Sequence, residues 1–143
     1  MPSITTQVPN LQEMGPVVEI KLTIGLKLEE ILRQKGQNLP SPVQVRAMID
    51  TGATGTVVRE DIVKQLNLNP VGTVLISTPS SFSVQCYKYL MRILFPNNVI
   101  IEDVVVISAP LKDQHIQCLI GRDILKLGVF IYTGYTNTFT LSF

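Results

Sequence analysis

The sequence predicts a single, mainly β domain with two or three short helices. Hydrophobic residues make up 45% of the 143 positions, and Val, Ile and Leu supply more of them than the aromatic residues do. β-Branched side chains favour strands, and apolar and polar positions alternate through much of the chain. Helical spacing is confined to short stretches. These observations predict an all-β fold class, and the length suits one domain with one buried core.

The N-terminal residues differ from the rest of the chain. Residues 1–16 contain Pro2, Pro9 and Pro16 and show no periodicity. We therefore expect an irregular N-terminal arm, followed by a single domain at residues 17–143.

Strand and helix patterns follow in order. Apolar and polar residues first alternate; Leu28, Ile31 and Leu32 then recur at helical spacing, which indicates an amphipathic helix that covers the core or, alternatively, binds a partner. Two prolines end this region, since neither suits a regular element. The predicted elements are a strand at 17–24, a helix at 26–35, a loop at 38–42 and a strand at 43–49.

The second half of the chain is again mostly β. A short helix is predicted where Ile62, Val63 and Leu66 share a face, and small residues mark the turn of a long hairpin. The predicted elements are a helix at 59–66, strands at 73–76 and 82–94 around a turn at 77–81, strands at 99–108 and 116–120, a helix at 122–127 and a terminal hairpin at 129–143.

Composition and charge exclude several function classes. The formal net charge of +1 gives no reason to expect a nucleic-acid or membrane partner. No apolar run reaches the roughly eighteen residues of a membrane span, and the N-terminus lacks the regions of a signal peptide. Cys86, Cys118 and His115 give no metal-ligand cluster. We expect a cytoplasmic protein with reduced thiols and neither a metal nor an organic cofactor.

One aspartate stands out as a candidate site residue. The apolar strand at 43–49 leads directly into Asp50, which is followed by Thr51, Gly52, Ala53 and Thr54. The strand would hold the carboxylate at a fixed place, and Gly52 allows the backbone to turn without a Cβ. The small neighbours leave room for another molecule to approach.

A second motif lies downstream, where Leu119 and Ile120 precede Gly121, Arg122 and Asp123. Asp-Thr-Gly-Ala followed by two apolar residues and Gly-Arg-Asp resembles the retropepsin-like aspartic proteases, over roughly residues 17–143. This resemblance implies the retropepsin-like fold and aspartic endopeptidase activity on extended polypeptides. Cellular and bacterial members are more similar than viral ones, because two strands follow the last helix.

The resemblance also implies a homodimer, because the chemistry needs two facing carboxylates and the chain has one Asp-Thr-Gly. Asp50 would be catalytic, Thr51 would brace the pair across the two-fold axis, and Gly52, Ala53, Thr54, Gly121 and Arg122 would support the site. The hydrophobic terminal hairpin at 129–143 suggests the partner-binding surface. Because Thr54 replaces an acid that pairs with the arginine in many retroviral members, we expect Arg122 to pair with Glu60 or Asp61.

The hairpin between the two motifs is interpreted as a flap that closes over the substrate. The residues assigned to it are Ile76, Ser77, Thr78, Pro79, Ser80, Ser81 and Phe82. An ordinary surface turn is the alternative interpretation.

A second hypothesis assigns the chain to another class, a dimeric peptide-binding or scaffold module with the same fold and little or no catalytic activity. The polar flap and Thr54 favour it. The intact Asp50, Thr51 and Gly52 favour the enzyme.

Overall fold

The computed structural model of the chain describes residues 1–78, 81–111 and 115–143. The strands are β1 Ser3–Gln7, β2 Val17–Ile24, β3 Val43–Ile49, β4 Val57–Arg59, β5 Gly72–Thr78, β6 Ser81–Leu94, β7 Ile100–Ala109, β8 Cys118–Ile120, β9 Val129–Thr133 and β10 Thr138–Ser142. The helices are α1 Leu11–Met14, α2 Leu26–Gln34, α3 Glu60–Gln65 and α4 Arg122–Leu125, with a 3-10 turn at Gly134–Thr136. The predicted all-β fold class with short helices is confirmed.

The larger sheet has seven strands in the order β2-β3-β8-β4-β7-β6-β5, and β6 also pairs with β2. The short strand β8 lies between β3, to which it is parallel, and β4, to which it is antiparallel. Its register places Ile120 beside Ile49. The two loops that leave β3 and β8 therefore start side by side.

The core is built from the inward faces of these strands. Alternation along β3 buries Val45, Ala47 and Ile49, as expected for a strand with one face against the core. Leu28 and Leu32 of α2 pack against the same core. Arg92 fixes α2 further, because its Nε donates to the Ile24 carbonyl at 2.9 Å and its Nη2 to Glu29 Oε2 at 2.8 Å.

A second, three-stranded sheet is formed by the chain termini in the order β1-β10-β9. The predicted terminal hairpin is confirmed by the antiparallel pairing of β9 with β10. We refer to these three strands as the terminal sheet. The larger part of its face toward the core is apolar, with Phe139 and Leu141 buried.

The expectation of an irregular arm at residues 1–16 is wrong. Residues 3–7 form β1, which pairs with β10, and residues 11–14 form α1. Strand β10 offers a free edge to an N-terminal segment rich in Thr, which tolerates extended structure. Leu11 is fully buried, and its N–H donates to Asn137 Oδ1 at 3.1 Å.

Other boundaries differ by a few residues from the predicted ones. Strand β6 continues without a break past Tyr89, and its only irregularity against β7 is a register shift between Met91 and Ile93. Helix α4 ends at Leu125, two residues before its predicted end. Strand β8 starts at Cys118 rather than at residue 116.

Candidate active site

Asp50 lies at the C-terminal end of β3, where the strand passes into a tight loop. Its N–H donates to the Ile120 carbonyl at 2.9 Å, so the loop starts from a paired position. Asp50 is partly exposed, and its carboxylate Oδ1 accepts a hydrogen bond of 2.9 Å from the Gly52 N–H. An added Cβ at Gly52 would lie 3.1 Å from that oxygen. The strand and the glycine together hold one carboxylate in place while leaving it accessible.

The two sequence motifs meet through their backbones. The Arg122 N–H donates to the Ala53 carbonyl at 2.9 Å, and the Asp123 N–H donates to the Thr54 carbonyl at 3.2 Å. These bonds join the start of α4 to the loop that carries Asp50. The residues predicted to support the site are therefore brought together.

Gly121 permits this close approach. A Cβ at this position would lie 2.5 Å from the carbonyl carbon and oxygen of Gly55 and 3.1 Å from the Ala53 carbonyl oxygen. Real Cβ atoms do not come this close to backbone atoms. A side chain at position 121 would therefore clash with the loop that carries Asp50. The glycine is required by packing beneath the loop.

A buried hydroxyl network that the sequence reasoning missed fixes the same junction. Thr56 is fully buried; its Oγ1 donates to Asp123 Oδ1 at 2.8 Å and accepts from the Gly121 N–H at 3.1 Å. The Thr56 N–H donates to Asp123 Oδ2 at 3.2 Å. One signal was available in the sequence: Thr56 and Val58 are two residues apart, so in a strand they share a face, and a hydroxyl buried on that face needs a partner.

The expectation that Arg122 pairs with Glu60 or Asp61 is wrong, since neither acid forms an ion pair with it among the described residues. Asp61 pairs instead with Arg59, at 2.6 Å and 2.8 Å, and these hydrogen bonds lower the pKa of the Asp61 carboxyl. Arg122 Nη1 donates to the Thr51 carbonyl at 2.7 Å, and its Nη2 donates to Thr54 Oγ1 at 3.3 Å. The guanidinium thus lies beside the loop of Asp50 and holds it through neutral oxygens.

A row of apolar side chains crosses the sheet next to this loop. The register aligns Met48 with Leu119, Leu119 with Val57, and Val57 with Ile107 on four neighbouring strands. All four are partly exposed in the single chain. The Cδ1 atom of Ile107 lies 3.8 Å from the position of a Cβ at Gly55. This surface, named here the apolar row, extends from Met48 on β3 to Ile107 on β7, which pairs with Lys88 of β6.

The hairpin predicted as a flap is present as β5 and β6, with Ile76 opposite Val84. Ser77 and Ser83 approach each other through their hydroxyls at 3.4 Å. Pro79 and Ser80 lie outside the described residues, as do the side chains of Thr78, Ser81 and Phe82. The hairpin is therefore located between the two motifs, and its function as a flap stays a prediction.

The remaining ionisable groups near the site are few. Cys118 is fully buried, and this burial raises the pKa of its thiol, with a smaller contribution from the charge of Asp123.

Among the residues that the structure describes, no group of three or more His, Cys, Asp or Glu side chains could hold a metal ion. No helix in the described ranges is long and apolar enough to cross a membrane.

Comparison with known proteins assigns the family. A sequence model for aspartyl proteases matches residues 38–124, which is more than half of the chain. The chain belongs to this aspartyl protease family. The matched range contains both Asp50 and the Gly121 turn, so the aspartyl protease signature coincides with the backbone junction described above. A search of curated protein sequences finds no significant match.

Structural comparison agrees with the aspartyl protease assignment. The crystal structure of a retropepsin-like aspartic protease from Rickettsia conorii matches with a TM-score of 0.60 at 12% sequence identity, covering 99% of this chain and 90% of that chain. This similarity shows the retropepsin-like fold, as predicted.

Two further structures resemble the chain less closely. The simian foamy virus (mac) protease gives a TM-score of 0.47 at 20% identity, covering 77% of this chain and 91% of that chain. The retroviral protease-like domain of Ddi1 from Leishmania major gives 0.46 at 15% identity, covering 88% of each chain.

Proposed function

We propose that this aspartyl protease family member is an active aspartic endopeptidase that works as a homodimer. The observation that carries the proposal is the Asp50 carboxylate, accessible at the end of β3 and oriented by the Gly52 N–H at 2.9 Å. The backbone bonds from Arg122 and Asp123 to the same loop fix the carboxylate more firmly than an ordinary surface loop would.

Peptide hydrolysis by this route needs two carboxylates that share one proton. Each chain would supply one Asp50, and Thr51 would brace the pair across the two-fold axis. The ionised carboxylate takes a proton from a water molecule as the water oxygen attacks the scissile carbonyl carbon, while the protonated carboxyl donates to the carbonyl oxygen. The resulting diol collapses as the C–N bond breaks, and a proton passes to the leaving amine. Gly52 and Ala53 would leave room for the substrate.

The terminal sheet is the surface that we assign to the partner chain. Strand β9 is one of its edges, and Val129 and Ile131 on this strand are 47% and 52% exposed. An exposed apolar edge strand is a ready site for pairing with a second copy. The other edge, β1, is mostly polar.

The substrate we propose is an extended polypeptide with apolar side chains near the cleaved bond. The apolar row supports this choice, because Met48, Leu119, Val57 and Ile107 are partly exposed beside the loop of Asp50. The hairpin β5–β6 would close over the bound chain as a flap.

The test is incubation of the purified protein with an unfolded polypeptide from mildly acidic to neutral pH, with products read by mass spectrometry. The matched control is Asp50→Asn, which keeps the shape of the side chain and removes the carboxyl groups that would share the proton. We expect cleavage by the wild type and a loss of at least about a thousandfold in kcat/KM in the variant. Absence of cleavage by a well-folded dimer would instead favour the binding module. Cleavage that survives in Asp50→Asn would exclude Asp50 as the catalytic acid.

A further inference from the structure

Arg122 is an exposed cation at the site that has no carboxylate partner in the described part of the chain. The ion pairs found there involve Arg33, Arg59 and Arg92. The nearest acid in sequence, Asp123, directs its oxygens to Thr56 and to the Ile124 N–H. Arg122 therefore carries its charge beside the loop of Asp50 without compensation from these groups.

The guanidinium is nonetheless held in place. Its Nη1 donates to the Thr51 carbonyl at 2.7 Å, and its Nη2 donates to Thr54 Oγ1 at 3.3 Å. Both acceptors are neutral, so the charge is oriented but not neutralised. The guanidinium fork has further N–H donors, and it matches the two oxygens of a carboxylate better than any other side chain does.

We propose that Arg122 is a specificity-determining residue that selects substrates with an acidic side chain close to the cleaved bond. This inference rests on the proposed peptidase function and names the class of substrate that the same site takes. Thr54 is small and neutral, so it leaves the charge of Arg122 available to a substrate carboxylate. A hydrogen bond between a guanidinium and a carboxylate is stronger than one between neutral groups, because both partners are charged.

The position of the acid follows from chain geometry. Arg122 is bonded to the carbonyl of Thr51, the residue after Asp50, and an extended peptide advances about 3.3 Å per residue. The acidic side chain would therefore lie within about four residues of the scissile bond. The two-fold axis of the homodimer repeats Arg122 on the other side of the cleft, so the preference applies on both sides of the cut.

The first measurement compares matched peptides that differ only by Glu or Gln at one position within four residues of the cleavage site. For the wild-type protein we expect kcat/KM to be about three to ten times higher for the Glu peptide at the preferred positions, chiefly through KM. Raised salt should reduce this ratio, because the pair is partly solvated. Equal rates for Glu and Gln at every position would overturn the proposal.

The second measurement uses a change at Thr54, since replacing Arg122 itself would also leave the Thr51 carbonyl without its donor. Thr54→Asp places a carboxylate within reach of Nη2, so the protein itself would neutralise the cation. Thr54→Asn is the matched neutral control. We expect the Glu-to-Gln ratio to fall to about one in Thr54→Asp and to persist in Thr54→Asn. If the Glu-to-Gln ratio of kcat/KM stays unchanged in Thr54→Asp, Arg122 does not recognise the acidic side chain of the substrate.

The two proposals fail in different ways. If no peptide is cleaved, the proposed peptidase function is wrong. Acid selection is then tested separately by labelling the same Glu and Gln peptides with a fluorophore. Their binding to the Asp50→Asn dimer is measured by fluorescence anisotropy. Tighter binding of the Glu peptide, lost in the Asp50→Asn/Thr54→Asp protein, would support the acid selection alone. Equal binding of the two peptides would overturn it.

Discussion

At the scale of single residues, a buried hydroxyl six residues after Asp50 joins the two motifs of the site. Thr56 Oγ1 bridges Asp123 Oδ1 at 2.8 Å and the Gly121 N–H at 3.1 Å, and it is fully buried. Removing the hydroxyl would leave the buried Gly121 N–H without this acceptor, and Asp123 Oδ1 would keep only its bond from the Ile124 N–H. An unmet buried polar group costs more than its hydrogen bond contributes when formed.

We therefore predict that Thr56→Val lowers the free energy of unfolding by about 1–3 kcal/mol, because the shape is kept while the buried Gly121 N–H loses its acceptor and Asp123 Oδ1 keeps only the Ile124 N–H as a donor. Urea denaturation followed by circular dichroism measures the change. The matched control is Thr5→Val, which removes an exposed hydroxyl bond to Thr140 of 2.9 Å and should cost less than about 0.5 kcal/mol. Equal losses in the two variants would show that the network does not stabilise the junction.

The residues of the site differ in how far the sequence reveals them. The motif around Asp50 could be predicted because an apolar strand, an acid and a glycine are consecutive, and the local geometry follows from them. The contacts of Arg122 and Thr56 could not, because their partners are distant in sequence and are set by the placement of β8 beside β3. From the sequence we expected an acidic partner for Arg122, whereas in the folded chain its guanidinium donates to the Thr51 carbonyl.

At the scale of elements, the N-terminal segment is where sequence patterns failed. The segment at residues 3–7 is short and mostly polar, so it lacks the apolar alternation that identified β2 and β3, and it lies between Pro2 and Pro9. Strand β1 exists because β10 presents an unpaired edge to it, which is tertiary information. Leu11 follows, and its side chain enters the core from a helix of only one turn.

We predict that Leu11→Ala destabilises the protein by about 2–4 kcal/mol, as truncation of a large core side chain does. The measurement is thermal or urea unfolding of the full chain. Met14→Ala is the matched control on the same short helix, since Met14 is 47% exposed and its truncation should cost less than about 0.5 kcal/mol. A loss in Leu11→Ala no greater than in Met14→Ala would mean that the N-terminal segment is a dispensable arm.

At the scale of the whole molecule, the topology rather than any one element creates the site. Strand β8 enters the sheet between β3 and β4, and this crossover sets the Gly121 turn against the loop of Asp50. Alternation and spacing predicted most strands but not their order, because periodicity carries no information about which strand pairs with which. The terminal sheet likewise joins residues from both ends of the chain.

The dimer proposal can be tested through the exposed edge of that sheet. Ile131 lies on β9 and is 52% exposed in the single chain, so Ile131→Lys should leave the fold of the monomer intact. In a dimer joined along β9 the same lysine would have to lose its water, which a cation without a partner does only at high cost. We predict that the dimer dissociation constant rises at least about tenfold, and that peptidase activity falls in parallel because each site would lack its second Asp50.

Sedimentation velocity over a range of concentrations measures the first effect, and peptide cleavage at the same concentrations measures the second. Val105→Lys is the matched control, since Val105 is 46% exposed on β7 of the larger sheet and lies outside the terminal sheet. It should dimerise and cleave as the wild type does. If Ile131→Lys dimerises with unchanged affinity, β9 is not the interface; if it is monomeric and still fully active, one Asp50 is sufficient and the paired-carboxylate mechanism is wrong.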